Sequence, residues 1–157
     1  MEENNKLEKL NRFTRREHTA DEVYIFDVVL CDNEVDRDGE RFSVEALKKL
    51  KELFVGKTGI SDHEAKSSGQ TARIFDTELV SDSAKKTSAG ETYTYLKASA
   101  YMVKTGANSD LISEIDGGIK KEVSISCSAG KRICSICGAD KSKDSCQKKK
   151  KKKYGGK

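Results

Sequence analysis

The segment Glu22-Val-Tyr-Ile-Phe-Asp-Val-Val-Leu30 contains six β-branched or aromatic residues in nine positions, and polar turn residues follow it. This composition is typical of a largely buried strand. A sheet is therefore the predicted centre of the fold, and the rest of the chain is interpreted around it.

Two later segments, 70–80 and 91–103, also predict strands, because apolar and polar residues alternate in the second of them. The segment Ser43 to Phe54 predicts a covering helix. Ser43 is placed to cap its first turn, Leu47 and Leu50 share one face with Phe54, and Gly56 ends it.

A shorter helix is predicted over 108–115, ending at Gly117 and Gly118, and the alternating segment 123–127 predicts a further strand. This order of elements has no regular βαβ repeat. It favours an α+β fold, with a mainly antiparallel, barrel-like sheet and a few covering helices.

The composition bounds what the chain can be. A chain of 157 residues forms one ordinary domain, and its core must be small because 35% of residues are hydrophobic and 36% are charged. The absence of proline predicts that turns rely on Gly, Asn and Asp alone, or that part of the natural chain is missing.

The net charge of +4 depends on the run Lys148 to Lys153, since the other residues comprise 24 basic and 26 acidic side chains. The body is therefore not expected to bind nucleic acid, and only weak phosphate contact through the lysine run remains open. Neither a membrane span nor a secretory signal is recognisable, so the sequence predicts a cytosolic protein with no membrane partner.

The chain divides into four predicted parts. Residues 1–20 form a polar N-terminal segment with a weakly docked helix, 21–130 the main domain, 131–147 a cysteine-rich segment, and 148–157 a basic disordered tail. An acidic stretch, Glu34-x-Asp36-x-Asp38-Gly39, has calcium-loop spacing. The strand before it and Arg41 within it favour a plain turn instead.

The cysteine-rich segment contains Cys134-x-x-Cys137-Gly138, one half of a zinc knuckle, and Cys146 supplies a third thiol. In a reducing compartment such spacing indicates metal binding before disulfides. A closed tetrahedral site needs four ligands, so the fourth is expected from water, another chain or a missing tail. Free surface thiols are the alternative.

Several motifs in order resemble those of the prohead proteases of tailed bacteriophages. They are Asp36-x-Asp38-Gly39-Glu40, Ser61-Asp62-His63, Gly69-Gln70, and Lys121-Glu122-Val123-Ser124-Ile125 after a helix that ends at Gly118. The resemblance covers about residues 20–128, and it makes residues 21–130 a protease-like domain. It implies the fold of the herpesvirus assembly proteases.

The resemblance implies a serine endopeptidase that trims scaffold and major capsid proteins inside the immature capsid, in the cytoplasm of a bacterial host. Ser124 looks like the nucleophile and His63 like its general base, with no cofactor needed for catalysis. A homo-oligomer is expected. From pattern alone, His63 is a loop histidine and Ser124 a plain strand hydroxyl.

Two departures from the family pattern affect this expectation. Ser126 stands where the family usually has glycine, and no acidic residue after Ser128 matches the usual third catalytic member. The sequence therefore predicts a relative that lacks the last strands of the fold and has weakened activity. The alternatives are Cys127 as nucleophile, a non-catalytic capsid-assembly or scaffold component, and a small zinc-containing nucleic-acid-binding protein.

Overall fold

The computed structural model describes residues 2–143 and 146, so the predicted basic tail, 148–157, lies outside the described residues. Over this part of the chain the helices are α1 (Glu2–Phe13), α2 (Val44–Phe54) and α3 (Ser109–Asp116). The strands are β1 (Val23–Asp32), β2 (Thr58–Ile60), β3 (Gln70–Lys86) and β4 (Thr92–Val103), and short 3₁₀ turns occur at Ser67–Gly69 and Lys141–Lys143.

The strands form one antiparallel sheet in the order β1-β4-β3-β2. This confirms the predicted α+β class and the antiparallel sheet, but the barrel-like closure was wrong. Within the described residues the sheet is open, because the edge strand β2 has only three residues and does not pair with β1 at the other edge. Closure requires the two edge strands to meet.

One face of the sheet is covered by α2. Leu47 and Leu50 of this helix are buried together with Leu96 of β4. The predicted cap is present, because the Ser43 side chain accepts a hydrogen bond from the backbone N–H of Ala46 at 3.1 Å. This bond satisfies one of the donors that a helix leaves free in its first turn.

The opposite face is covered by α1, which the sequence predicts to be weakly docked. That prediction was wrong, because Leu10 has no exposed surface and packs against Val23 and Phe75. Lys6 pairs with Asp27 at 2.8 Å and Lys9 pairs with the carboxylate of residue 76 at 2.5 Å. The sequence pattern shows only sparse leucines, and the partners that hold them lie far along the chain.

The acidic stretch after β1 is a turn, as predicted. A carboxylate oxygen of Asp36 accepts the backbone N–H groups of Asp38 and Glu40 at 2.8 and 2.9 Å, so it is engaged within its own turn. Gly118 has a φ of +72°, the left-handed conformation that glycine adopts readily after a helix. In the described part of the chain, no helix combines the length and apolar character that crossing a membrane requires.

Candidate catalytic residues and a three-cysteine cluster

His63 lies in an exposed turn between β2 and β3. The turn is closed by a hydrogen bond from the Glu64 backbone N–H to the Ser61 carbonyl at 3.0 Å. Asp62 and His63 both have left-handed backbone conformations, with φ of 54° and 55°. Such angles are uncommon outside glycine, although Asp and His are enriched among the exceptions, and they occur often at functional sites.

Ser124 lies in an exposed, irregular segment, and the predicted strand 123–127 is not formed. The segment has the alternation of a strand, but a strand also needs a pairing partner, and none of the described residues pairs with it. Its position is fixed by Ile125, which packs against the core cluster that contains Leu96. The Ser124 hydroxyl therefore faces solvent beside a fixed apolar anchor.

The two predicted catalytic residues, His63 and Ser124, belong to segments that lie near different levels along the strands of the sheet. His63 follows β2, which pairs with the first residues of β3, whereas Ile125 packs near Leu96, whose partner on β3 is Leu79. These two levels are nine residue steps apart on β3, and a strand rises about 3.3 Å per residue, so they are separated by roughly 30 Å along the strand. Among the described residues, no hydrogen bond joins His63 to Ser124, and their catalytic pairing stays a prediction.

Cys127, the alternative nucleophile, is also exposed. It lies close enough to Cys31 to affect that thiol electrostatically. Burial, together with the nearby Cys127 and Asp32, raises the pKa of Cys31 to about 12. The segment that carries Ser124 and Cys127 therefore runs past the end of β1.

The sulfur atoms of Cys134, Cys137 and Cys146 all lie within 4.8 Å of one another. The sequence groups these three cysteines by spacing, and the structure brings their thiols together. The backbone forms a tight knuckle, in which the N–H of Gly138 donates to the Cys134 carbonyl at 2.9 Å and Cys134 N–H donates to Ala139 at 2.9 Å. Gly138 has a φ of +70°, which closes this turn without side-chain strain.

Backbone donors stabilise a thiolate in this knuckle. The N–H groups of Cys137 and Ile136 donate to the Cys134 sulfur, and with smaller contributions from the other two thiols they lower the pKa of Cys134 to about 7. Metal ions are held by thiolate rather than thiol, so the arrangement favours the form that binds metal.

Asp140, one of the two acids after Ser124 in the sequence, holds the knuckle in shape. Its carboxylate accepts the backbone N–H groups of Arg132 and Ser142 at 3.2 and 3.0 Å. The Lys141 N–H also donates to the Arg132 carbonyl at 2.7 Å. Asp140 thus closes the base of the cysteine loop, a role that its sequence context does not reveal, while the other acid, Asp144, lies outside the described residues.

The donor set fits a thiophilic divalent metal. Tetrahedral zinc with bonds of about 2.3 Å places its sulfur ligands about 3.8 Å apart; the Cys137 and Cys146 sulfurs are 3.5 Å apart, and all three sulfurs lie within 4.8 Å of one another. Among the described residues, this trio is the group of His, Cys, Asp and Glu side chains close enough to share an ion. The three cysteines can therefore bind a metal.

Comparison of the chain with protein-family models, with curated proteins and with solved structures finds no match in any of the three.

Proposed function

We propose that the chain is a serine endopeptidase of the prohead type that trims scaffold and major capsid proteins inside the immature capsid of a tailed phage. Ser124 is the nucleophile and His63 the base that accepts its proton. The observation that supports this assignment best is the adjacent pair of left-handed residues, Asp62 and His63, in an exposed turn. Left-handed backbone conformations cost free energy in residues other than glycine, and they cluster at functional sites.

Catalysis requires the segment after α3 to move. The Tyr24 hydroxyl donates a hydrogen bond to the Asp116 carboxylate at 2.5 Å. Tyr24 lies near the same end of the sheet as β2, the strand that precedes His63. The eight residue steps from Asp116 to Ser124 span at most about 28 Å when extended. The width of the sheet from β1 to β2 is only about 14 Å, so the reach of this segment permits Ser124 to approach His63 once Ile125 leaves the core cluster.

The proposed reaction follows the ordinary serine pathway. His63 accepts the Ser124 proton as the hydroxyl attacks the scissile carbonyl, and an acyl-enzyme forms that water then hydrolyses. The third member of such a triad orients the imidazole, and in trypsin-like enzymes its replacement lowers turnover about 10⁴-fold. Within the described residues, no carboxylate is hydrogen-bonded to His63, so slow turnover is expected.

The test is active-site labelling with a serine-directed fluorophosphonate. Labelling at Ser124 is expected in the full chain, and its loss is expected in Ser124→Ala and in His63→Ala. Ser126→Ala is the matched control, because Ser126 lies in the same exposed segment, and it should keep the label. Equal labelling of all four proteins, or none in the parent, contradicts the proposal.

A second candidate function is a non-catalytic capsid-assembly component. The position of Ile125 and His63 near different levels of the sheet favours it, because an assembly role needs only the fold and its surfaces. Analytical ultracentrifugation tests this role. A defined homo-oligomer that takes up no fluorophosphonate supports the assembly component, whereas a labelled chain supports the peptidase.

The three-cysteine cluster is proposed to be a structural zinc site. Cys134, Cys137 and Cys146 would hold the ion, which supplies folding free energy to a loop that has little core of its own. Metal analysis of freshly purified chain should find close to one zinc per chain. Cys134→Ser should lose that zinc, whereas Cys127→Ser, an exposed cysteine outside the cluster, should keep it. A parent chain without bound zinc contradicts this assignment.

A further inference from the structure

Two of the three clustered thiols are distinguished from the third by their surroundings. The sulfur atoms of Cys137 and Cys146 are 3.5 Å apart, with Cys137 exposed and Cys146 half-buried. Cys134 is buried, and its sulfur accepts the backbone N–H groups of Ile136 and Cys137. Cys137 is thus open to reagents in solution and is in contact with the half-buried Cys146, while the Cys134 thiol is held against the backbone.

The sulfur atoms of Cys137 and Cys146 are already in non-bonded contact at 3.5 Å. A disulfide has a sulfur–sulfur length of about 2.05 Å, so the two sulfurs need to approach by only about 1.5 Å. A disulfide of Cys134 with either partner would instead involve a buried sulfur that accepts two backbone N–H groups as a thiolate.

We infer that the cluster is a thiol switch in which oxidation of Cys137 and Cys146 to a disulfide releases the metal. This inference rests on the zinc site proposed above. The oxidant is a small-molecule disulfide such as glutathione disulfide. A Cys137–Cys146 bond forms, the sulfur–sulfur bond of glutathione breaks, and two glutathione thiolates leave with the electrons. Zinc then has Cys134 as its single remaining ligand in the trio and dissociates.

The switch has a structural consequence for the loop around it. The zinc ties Cys146 to the knuckle that contains Cys134 and Cys137, and the knuckle is closed at its base by Asp140. A Cys137–Cys146 disulfide keeps that tether but frees Cys134, so oxidation changes the metal content while the segment stays connected. Reduction restores three thiols at the same place.

The experiment uses the full chain loaded with zinc and treated with glutathione disulfide. Zinc release is followed with a chromophoric chelator, and disulfides are mapped by mass spectrometry after the free thiols are blocked. The expected result is release of about one zinc per chain, in step with a Cys137–Cys146 cross-link, and recovery after dithiothreitol and added zinc. Cys31→Ser and Cys127→Ser are the matched controls and should behave as the parent.

Each contrary result has a distinct meaning. If zinc is bound but a Cys134–Cys137 disulfide forms, or only mixed disulfides with glutathione form, the switch is overturned and the zinc site stands. If oxidation leaves the zinc in place, the switch is again overturned. If the reduced chain binds no zinc at all, the zinc site fails, and the switch is overturned with it.

Discussion

Replacement of Leu10 by alanine tests whether α1 belongs to the folded core. Leu10 has no exposed surface and packs against Val23 and Phe75. Leucine-to-alanine changes at fully buried sites cost about 2–5 kcal/mol, and the cost is smaller where the surroundings can close the cavity. Because α1 packs on the surface of the sheet and can shift toward it to close part of the cavity, a loss of about 2–3 kcal/mol is expected in the free energy of unfolding.

Urea unfolding followed by far-ultraviolet circular dichroism measures that loss. The matched control is Leu53→Ala in α2, the same change within a helix at a site that is 62% exposed, where a loss under about 0.5 kcal/mol is expected. Hydrogen exchange of the α1 amides should accelerate in Leu10→Ala only. If Leu10→Ala costs less than about 1 kcal/mol, or no more than the control, α1 is not docked as described.

Three further predictions concern local interactions. Asn33 is fully buried, donates to the Thr92 carbonyl at 2.9 Å and accepts the Thr94 N–H at 2.8 Å, so Asn33→Ala should lower the free energy of unfolding by about 2 kcal/mol in urea titrations. Ser43→Ala removes the cap of α2 and should cost about 1 kcal/mol, measured by thermal unfolding; an unchanged midpoint argues against the cap. Burial raises the pKa of Cys31 to about 12, so its thiol should resist iodoacetamide at pH 9 when folded and react in urea. The half-buried neutral thiol of Cys31 stabilises the folded chain fully below pH 9, and this contribution is lost as the pH rises from about 9 toward 12. Rapid alkylation of the folded chain at pH 9 contradicts the prediction.

Much of the secondary structure was predictable because its signals are local. The β-branched run of β1, the alternation in β4 and the Ser43 cap of α2 each depend on residues within a few positions of one another. The same is true of the Cys134-x-x-Cys137 knuckle, where short spacing confines two thiols to one turn. The approach of Cys146 to them followed from sequence proximity and the chemistry of thiols.

The predictions that failed each depended on a distant partner. The docking of α1 relies on Asp27 and Asp76, which lie 21 and 67 residues from the lysines they bind. The segment 123–127 has the pattern of a strand, yet strands form by pairing, and sequence alone does not say which edge is free. The prediction of barrel closure failed for the same reason, because closure depends on whether two edge strands far apart in the sequence pair with each other.

The sequence by itself determined the α+β class, the main strands and helices and the clustering of the cysteines, because these follow from short-range periodicity, capping and spacing. Only the tertiary structure decided that the sheet is open, that α1 is buried against it, and that the segments carrying His63 and Ser124 lie near different levels of it. Strand order and register fix such positions, and they are set by the summed packing of residues far apart in the chain.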